Sequence, residues 1–322
     1  MPLRTLVEAV NDVLHAEMER DPDVMVMGED VCRAGGVFRA TVGLRERFGE
    51  ERCVDTPLAE AGILGTAVGL AMAGWRPVCE MQYDAFSYPC LDQLICHVGR
   101  YHWRTGGAME FPITIRMPYG GGVRAPELHE ESPEAYYAHT AGVKVAIPST
   151  PADAKGLLAA AIRSPDPVVV LEPKALYRNP RGEVPEGEHV VPLGQARLAR
   201  EGSDVTMIAY GAMVPVCLAA AEELEASVEV VDVRTLKPLD EETLLASVAK
   251  TGRAVVVQEA PRTAGFGAEI AALLAEKAIL DLRGPVIRVA GYDAPFPHWS
   301  VEDTYLPTPG RVAAAARKLL AF

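Results

Sequence analysis

No stretch of about 20 consecutive apolar residues, the length a helix needs to cross a bilayer, escapes interruption by charge or proline in these 322 residues. A membrane span is therefore not expected. Paired cysteines are missing too. Cys32, Cys53, Cys79, Cys90, Cys96 and Cys217 are scattered with no C-x-x-C among them, so neither a zinc knot nor a dithiol redox centre has its residues. In a reducing compartment their default state is the free thiol, packed as a small hydrophobe. Basic residues are the third scarcity. The chain has 31 Lys and Arg against 44 Asp and Glu, a formal net charge of −13, and no long basic block. Attraction to nucleic-acid phosphates or anionic lipid is excluded on that ground, and a basic partner surface is the natural companion. A secretory signal is also absent from the opening segment. In MPLRTLVEAVNDVLHAEMERD, Leu6, Val10, Val13 and Leu14 recur at helical spacing with acids between them, which describes an amphipathic helix and a cytoplasmic protein.

With 49% hydrophobic residues, the chain can fill two separate cores. VMVMGED (24–30) reads as a buried strand closing on a loop, and the small-residue segment DTPLAEAGILGTAVGLAMAG (55–74) as a helix. Then come the strand RPVCEMQY, a helix over 88–104, the strand FPITIR, the glycine-rich loop MPYGGGVRAPELHEESPEA, the strand VKVAIPS, a helix from Pro151 and the strand PVVVLEP. Strictly alternating strands and helices imply a doubly wound, mostly parallel sheet. Residues 173–192 hold four prolines and many charges without periodicity and mark the connection between domains. A second α/β unit follows, with strands DVTMIAYG, SVEVVDV, RAVVVQEA and PVIRVAG, helices through AAAEELEA, over 241–250 and from Phe266, and a closing helix over 309–320. The expected division is 1–175, a linker 176–192, and 193–322.

Gly265 and Gly267 in TAGFGAEIAALL imitate a dinucleotide fingerprint, but Ile270 takes the third glycine position and no acid follows to bind a ribose. A structural loop is the better reading. Glu60 raises a sharper question, because it is a carboxylate heading an otherwise apolar helix. An acid in a first turn is stabilised by the helix dipole, yet Ala61, Gly62, Gly65, Thr66, Gly69 and Ala71 give this helix faces suited to close packing, where the carboxylate would be desolvated. His129 lies in the glycine-rich loop among Glu127, Glu130 and Glu131, acids that favour its protonated form if they face it. His97 and His102 read as structural.

The ordered succession MGEDV, GGVFRAT, DTPLAEAGILGTAVGLAMAG, EMQYDAF, RYHWRTGG, RMPYGGGV, HEESPEAYYAHTAG, STPADAKGLL, DPVVVLEPKALYR and VDVRTLKPLD covers essentially the whole chain. It closely resembles the beta subunit of the thiamine-diphosphate-dependent 2-oxo acid dehydrogenases. The resemblance implies two doubly wound domains, a transketolase-like pyrimidine-binding domain and a transketolase C-terminal-like domain. It implies that Glu60, the acid of TPL-x-E, faces the cofactor's pyrimidine nitrogen and shares a proton with it, at a pKa raised by burial. It places Leu58, Gln82 and Phe86 around the pyrimidine, Glu29 and Asp92 along a passage between paired active sites, and His129 near the substrate carboxylate. Glu130-Glu131 stand where the family usually has S-Q after that histidine.

A structural potassium ion is implied at carbonyls of Ile113, Ala161, Ile162, Ser164 and Asp166, although the family more often has Asp and Asn at the last two positions. Thiamine diphosphate also needs Mg²⁺, which the family binds with a G-D-G…N segment, and no G-D-G occurs here. A separate alpha subunit is thus implied, holding the Mg²⁺ and the diphosphate in an α₂β₂ assembly that acylates the lipoyl domain of a dihydrolipoyl acyltransferase, whose subunit-binding domain is a further partner. SPEAYYAH and GYDAPFP look more like branched-chain enzymes, whereas PELH and the VPEGE region look like pyruvate enzymes, which leans the substrate slightly towards branched-chain 2-oxo acids. Two rival readings are a single-chain transketolase-like enzyme and a flavodoxin-like scaffold without turnover, for which Glu60 would be dispensable.

Overall fold

The computed structural model describes all residues, 1–322. The chain builds two sheets, and its two main hydrophobic clusters each draw residues from both, so the two separate cores expected from the sequence are not found. The first sheet has seven strands in the order Thr235–Lys237, Lys144–Ala146, Val168–Pro173, Thr114–Tyr119, Arg76–Glu80, Val24–Gly28 and Cys53–Asp55. Six are mutually parallel, and the edge strand Thr235–Lys237 is antiparallel to Lys144–Ala146. That edge strand comes from the second half of the chain, so the sheets interlock. The second sheet runs Ile287–Gly291, Ala254–Pro261, Val205–Ala209, Val228–Asp232 and Arg197–Arg200, with only the last antiparallel. Central strands such as Val24–Gly28 and Val205–Ala209 are buried along their whole length. Helices cover both faces and hide the Val-rich runs from water. No helix is long and apolar enough to cross a membrane.

Local signals start several helices. Thr5 and Glu8 form a reciprocal capping box, the Thr150 and Thr308 hydroxyls each cap a helix with proline in its first turn, and Asp240 caps Glu241–Thr251. Elsewhere the structure departs from expectation. The helix expected over 88–104 is four short pieces, Ala85–Cys90, Leu91–Cys96, Val98–Arg100 and Tyr101–Arg104. Pro89 lies inside the first piece, and Gly99 packs so closely that a Cβ there would sit 2.4 Å from the Ala141 carbonyl oxygen. The strand expected as FPITIR is Thr114–Tyr119 and runs on into the expected loop, while the helix placed through AAAEELEA is Met213–Glu222. The linker is not loose. Gly182–Glu183 pairs with Leu3–Arg4, and Tyr177, Val184 and Val191 are buried.

Beneath the first sheet's exit edge lies a buried ionic network. The Arg116 guanidinium donates to Glu172 from Nε at 2.7 Å and from Nη2 at 2.6 Å, and also to Glu80. The Tyr177 hydroxyl donates to Glu172 Oε2 at 2.6 Å. These bonds tie adjacent parallel strands together directly below the loops that carry the functional side chains.

Candidate active site

The first sheet's parallel strands deliver their following residues to one edge, the crevice where open α/β sheets bind ligands. Val24–Gly28 leads into Glu29, Cys53–Asp55 into Leu58 and Glu60, Arg76–Glu80 into Gln82 and Phe86, and Thr114–Tyr119 into the glycine loop and His129. Glu29 is 6% exposed and has its Oε1 buried without a partner. Burial, with the Glu60 and Asp30 charges beside it, holds the Glu29 carboxyl above the usual carboxylate range. A buried, unpartnered oxygen beside a second carboxylate fits a ligand that brings hydrogen-bond donors.

Glu60 is the first residue of the helix Glu60–Met72, which packs against Ala85–Cys90 and Leu91–Cys96. The expected full burial of Glu60 is not found in the single chain. It is half-buried, Leu58 is 80% exposed, and Gly62 and Gly69 lie on an exposed face, Gly69 with no atom within 4 Å of where a Cβ would be. The small-residue helix therefore buries only one side within its own chain. Asp92 is exposed on Leu91–Cys96. Gln82 donates from Nε2 to Asp30 Oδ2 at 3.1 Å, joining the loops after two neighbouring strands.

His129 stands edge-on to two rings, with centroids 4.3 Å from Tyr83 and 4.9 Å from Phe86. Its Nδ1 lies 2.9 Å from the Glu127 carbonyl oxygen. A carbonyl only accepts, so the proton sits on Nδ1 and Nε2 is left free for a ligand. The acids around His129 in sequence do not form an ion pair with it, contrary to expectation. The Glu130 carboxylate turns inward to accept the Val123 amide at 3.2 Å, and Glu131 contributes its amide to Asp84 Oδ1 at 3.2 Å. Asp84 is wholly buried and paired with Lys174 at 2.5 Å, and the Lys174 ammonium also lies 5.8 Å from the Tyr83 ring centroid. Tyr83, Asp84 and Lys174 escaped sequence reasoning, since nothing local marks a strand-end acid as the anchor of a distant loop.

The carbonyls implied for potassium already face protein cations. Arg76 donates to the Ile162 carbonyl at 3.1–3.2 Å and to that of Ser164 at 3.2 Å. The Asp166 carboxylate is held by Lys144 at 2.9 Å and His102 at 2.5 Å. The Ile113 and Ala161 carbonyls accept backbone amides of Val168 and Ser164 at 3.0 and 3.1 Å. Four of the five implied carbonyls thus already accept a protein hydrogen bond, and a potassium ion would have to share them with Arg76 and the Val168 and Ser164 amides. The chain holds no group of three or more His, Cys, Asp or Glu side chains arranged for a metal.

Residues 4–180 match the model of the transketolase pyrimidine-binding domain, and residues 194–312 that of the transketolase C-terminal domain. Over 325 aligned residues, and 100% of both chains, the sequence is 52% identical to the pyruvate dehydrogenase E1 component subunit beta of Staphylococcus epidermidis. It is 51% identical to the protein of that name from Bacillus subtilis (strain 168), again over 100% of both chains. The chain belongs to the beta-subunit family of the 2-oxo acid dehydrogenases. Solved structures share this family's fold. A split-gene transketolase, described as an inactive beta4 tetramer, superposes with a TM-score of 0.76 at 24% identity over 98% of each chain. Transketolase from Leishmania mexicana gives 0.72 at 16% identity, with all of this chain covering 46% of that one.

Proposed function

We propose that this chain is the beta subunit of a pyruvate dehydrogenase first component, which binds the pyrimidine half of thiamine diphosphate at an interface with an alpha subunit. The observation that carries the reading is the pair Glu29 and Glu60 at the sheet's exit edge, one with a buried unpartnered oxygen, beside the exposed apolar Leu58 and the Phe86 and His129 rings. When bound, the cofactor supplies the carbon nucleophile and electron sink that cleavage of a 2-oxo acid requires.

The chain's own residues do the rest. Glu60 holds or releases one proton at the carboxyl facing the ring, Leu58 and Phe86 exclude water from its flanks, and Gln82 is pre-aimed by Asp30. His129, with its Nδ1 proton committed to the Glu127 carbonyl, presents Nε2 to the substrate, and binding a carboxylate there takes the imidazolium form with a proton on both nitrogens. Mg²⁺ belongs with the diphosphate on the alpha subunit, because this chain has no G-D-G segment. The open face of Glu60–Met72 and the exposed Leu58 fit an α₂β₂ assembly in which a second chain covers them. Acylation of a lipoyl domain, and docking on the subunit-binding domain of its acyltransferase, complete the reading. Six free cysteines, five of them buried, suit a reducing cytoplasm.

Pyruvate is preferred over the branched-chain substrates to which SPEAYYAH and GYDAPFP lean, because the relatives at 51–52% identity over full length carry the pyruvate name. A single-chain transketolase-like enzyme is disfavoured, since the relatives at 51–52% identity over their full length are named as beta subunits. Steady-state turnover of the complex reconstituted with its alpha subunit should show kcat/KM for pyruvate above that for 2-oxoisovalerate. A pocket methylene is worth about 1–3 kcal/mol, or roughly 10- to 200-fold. The reverse order would overturn the substrate assignment, and turnover of neither would overturn the enzyme reading in favour of a scaffold.

A further inference from the structure

Successive amides of the glycine run are capped by carboxylates from both domains. The Gly121 amide donates to Glu259 Oε1 and the Gly122 amide to Glu302 Oε1. The Val123 amide donates to Glu130 Oε1 at 3.2 Å, and the Gly120 amide to the Glu131 carbonyl at 2.9 Å. Glu259 lies in the second-sheet strand Ala254–Pro261 and Glu302 opens the helix Glu302–Tyr305, whereas the glycines open the first-domain loop that ends at His129. The fit leaves no slack. A Cβ would sit 2.6 Å from Glu259 Oε1 at Gly120, 2.5 Å from the Phe296 ring at Gly121 and 2.8 Å from the Ala175 Cβ at Gly122. Gly120 and Gly122 also have φ of +77° and +94°, which side chains resist.

We propose that Glu259 and Glu302 of the second domain are positioning residues for the His129 loop, which they hold through the Gly121 and Gly122 amides. The proposal rests on the reading of His129 given above. Glu302 and Glu130 are each 1% exposed, and the Oε2 of each is buried without a hydrogen-bond partner. The Glu130 charge beside Glu302 adds to burial in disfavouring ionisation of the Glu302 carboxyl. The amides of Gly122 and Arg124 also face Glu302, and the Arg124 side chain is turned outward onto Asp303 at 2.9 Å. Glu259 is faced by Lys174, Asp84, Glu130 and Glu134 and by the Tyr119 and Tyr305 phenols, so one buried cation serves several acids. Burial pushes the Glu259 carboxyl up to about 7 and raises that of Glu302.

Backbone hydrogen exchange of residues 117–135 in the full chain, expressed as protection relative to intrinsic rates, tests this directly. Glu302→Ala and Glu259→Ala should each lower protection of this segment by about tenfold or more, with the central strands of both sheets unaffected. Glu302→Gln keeps an acceptor for the Gly122 amide, so it should retain most of the protection that Glu302→Ala loses. In the reconstituted complex the alanine variants should lower kcat while leaving thiamine diphosphate affinity unchanged. Unchanged protection in both alanine variants would overturn the proposal. Protection lost while kcat holds would instead sink the role of His129, and the positioning role with it.

Discussion

Replacing Glu60 with glutamine keeps its shape and reach but removes its titratable proton, which makes it the sharpest single-residue test of the proposed site. Loss of acid–base assistance costs on the order of 10²–10⁴ in rate, so Glu60→Gln should assemble normally with its alpha partner and turn over that much more slowly. Near-native turnover would return Glu60 to the role of a first-turn acid that merely suits the helix dipole. Glu60 was legible because a lone charge at the head of a run of Ala, Gly, Ile and Leu is conspicuous. The surroundings of His129 were not. Sequence neighbours supplied acids, whereas folding supplied Tyr83 and Phe86 from the end of another strand and turned the Glu130 carboxylate into the interior.

Helices announced themselves through caps such as Thr150-Pro151 and Thr308-Pro309, and central strands through unbroken apolar runs. The edge strands Arg197–Arg200 and Thr235–Lys237 had no such signature, because each exists only by pairing with a strand distant in sequence. The potassium expectation shows a related limit, since Arg76 and Lys144 reach the carbonyls and carboxylate after Pro151–Arg163 from two different strands. With those cations in place, the thermal midpoint of the chain should be the same in potassium as in sodium at equal ionic strength. A rise specific to potassium would mean that the ion displaces them. The helix Glu134–His139 opens on a carboxyl that is wholly buried, pushed up to about 8 mainly by desolvation, and bonded by the Tyr210 hydroxyl at 2.9 Å. Its folded value lies above its unfolded one, so its stabilising contribution is complete below about pH 4.5 and is lost as pH rises through about 8. Glu134→Gln removes that titration while keeping an acceptor for Tyr210. Melts across about pH 5–8 should show the native chain losing stability relative to the variant, by up to ~1.4 kcal/mol per pH unit. Parallel curves would place the proton elsewhere.

At the scale of the whole molecule, the chain is incomplete where its chemistry is placed. Leu58 and Trp103 are 80% and 87% exposed, Glu60 is half-buried, and one face of the helix Glu60–Met72 is open, although its residues are apolar or small. Apolar surface of this kind marks an interaction site, and each domain has its own sheet while both hydrophobic clusters run through the two domains, so the opening is not a defect of folding. Thiamine diphosphate binds chiefly through its charged diphosphate, and burying that charge without Mg²⁺ and its ligands is costly. The chain lacks a G-D-G segment to hold the ion that offsets the cost, so calorimetric titration of thiamine diphosphate and Mg²⁺ into the purified chain should give no saturable heat. The same titration into the chain mixed with its alpha partner should saturate. Gly65→Leu places a bulky side chain where a Cβ would lie 3.7 Å from Gln93 Oε1, so it should weaken assembly and cofactor binding together. Tight, magnesium-dependent binding by the chain alone would contradict the shared site and restore the single-chain transketolase-like reading.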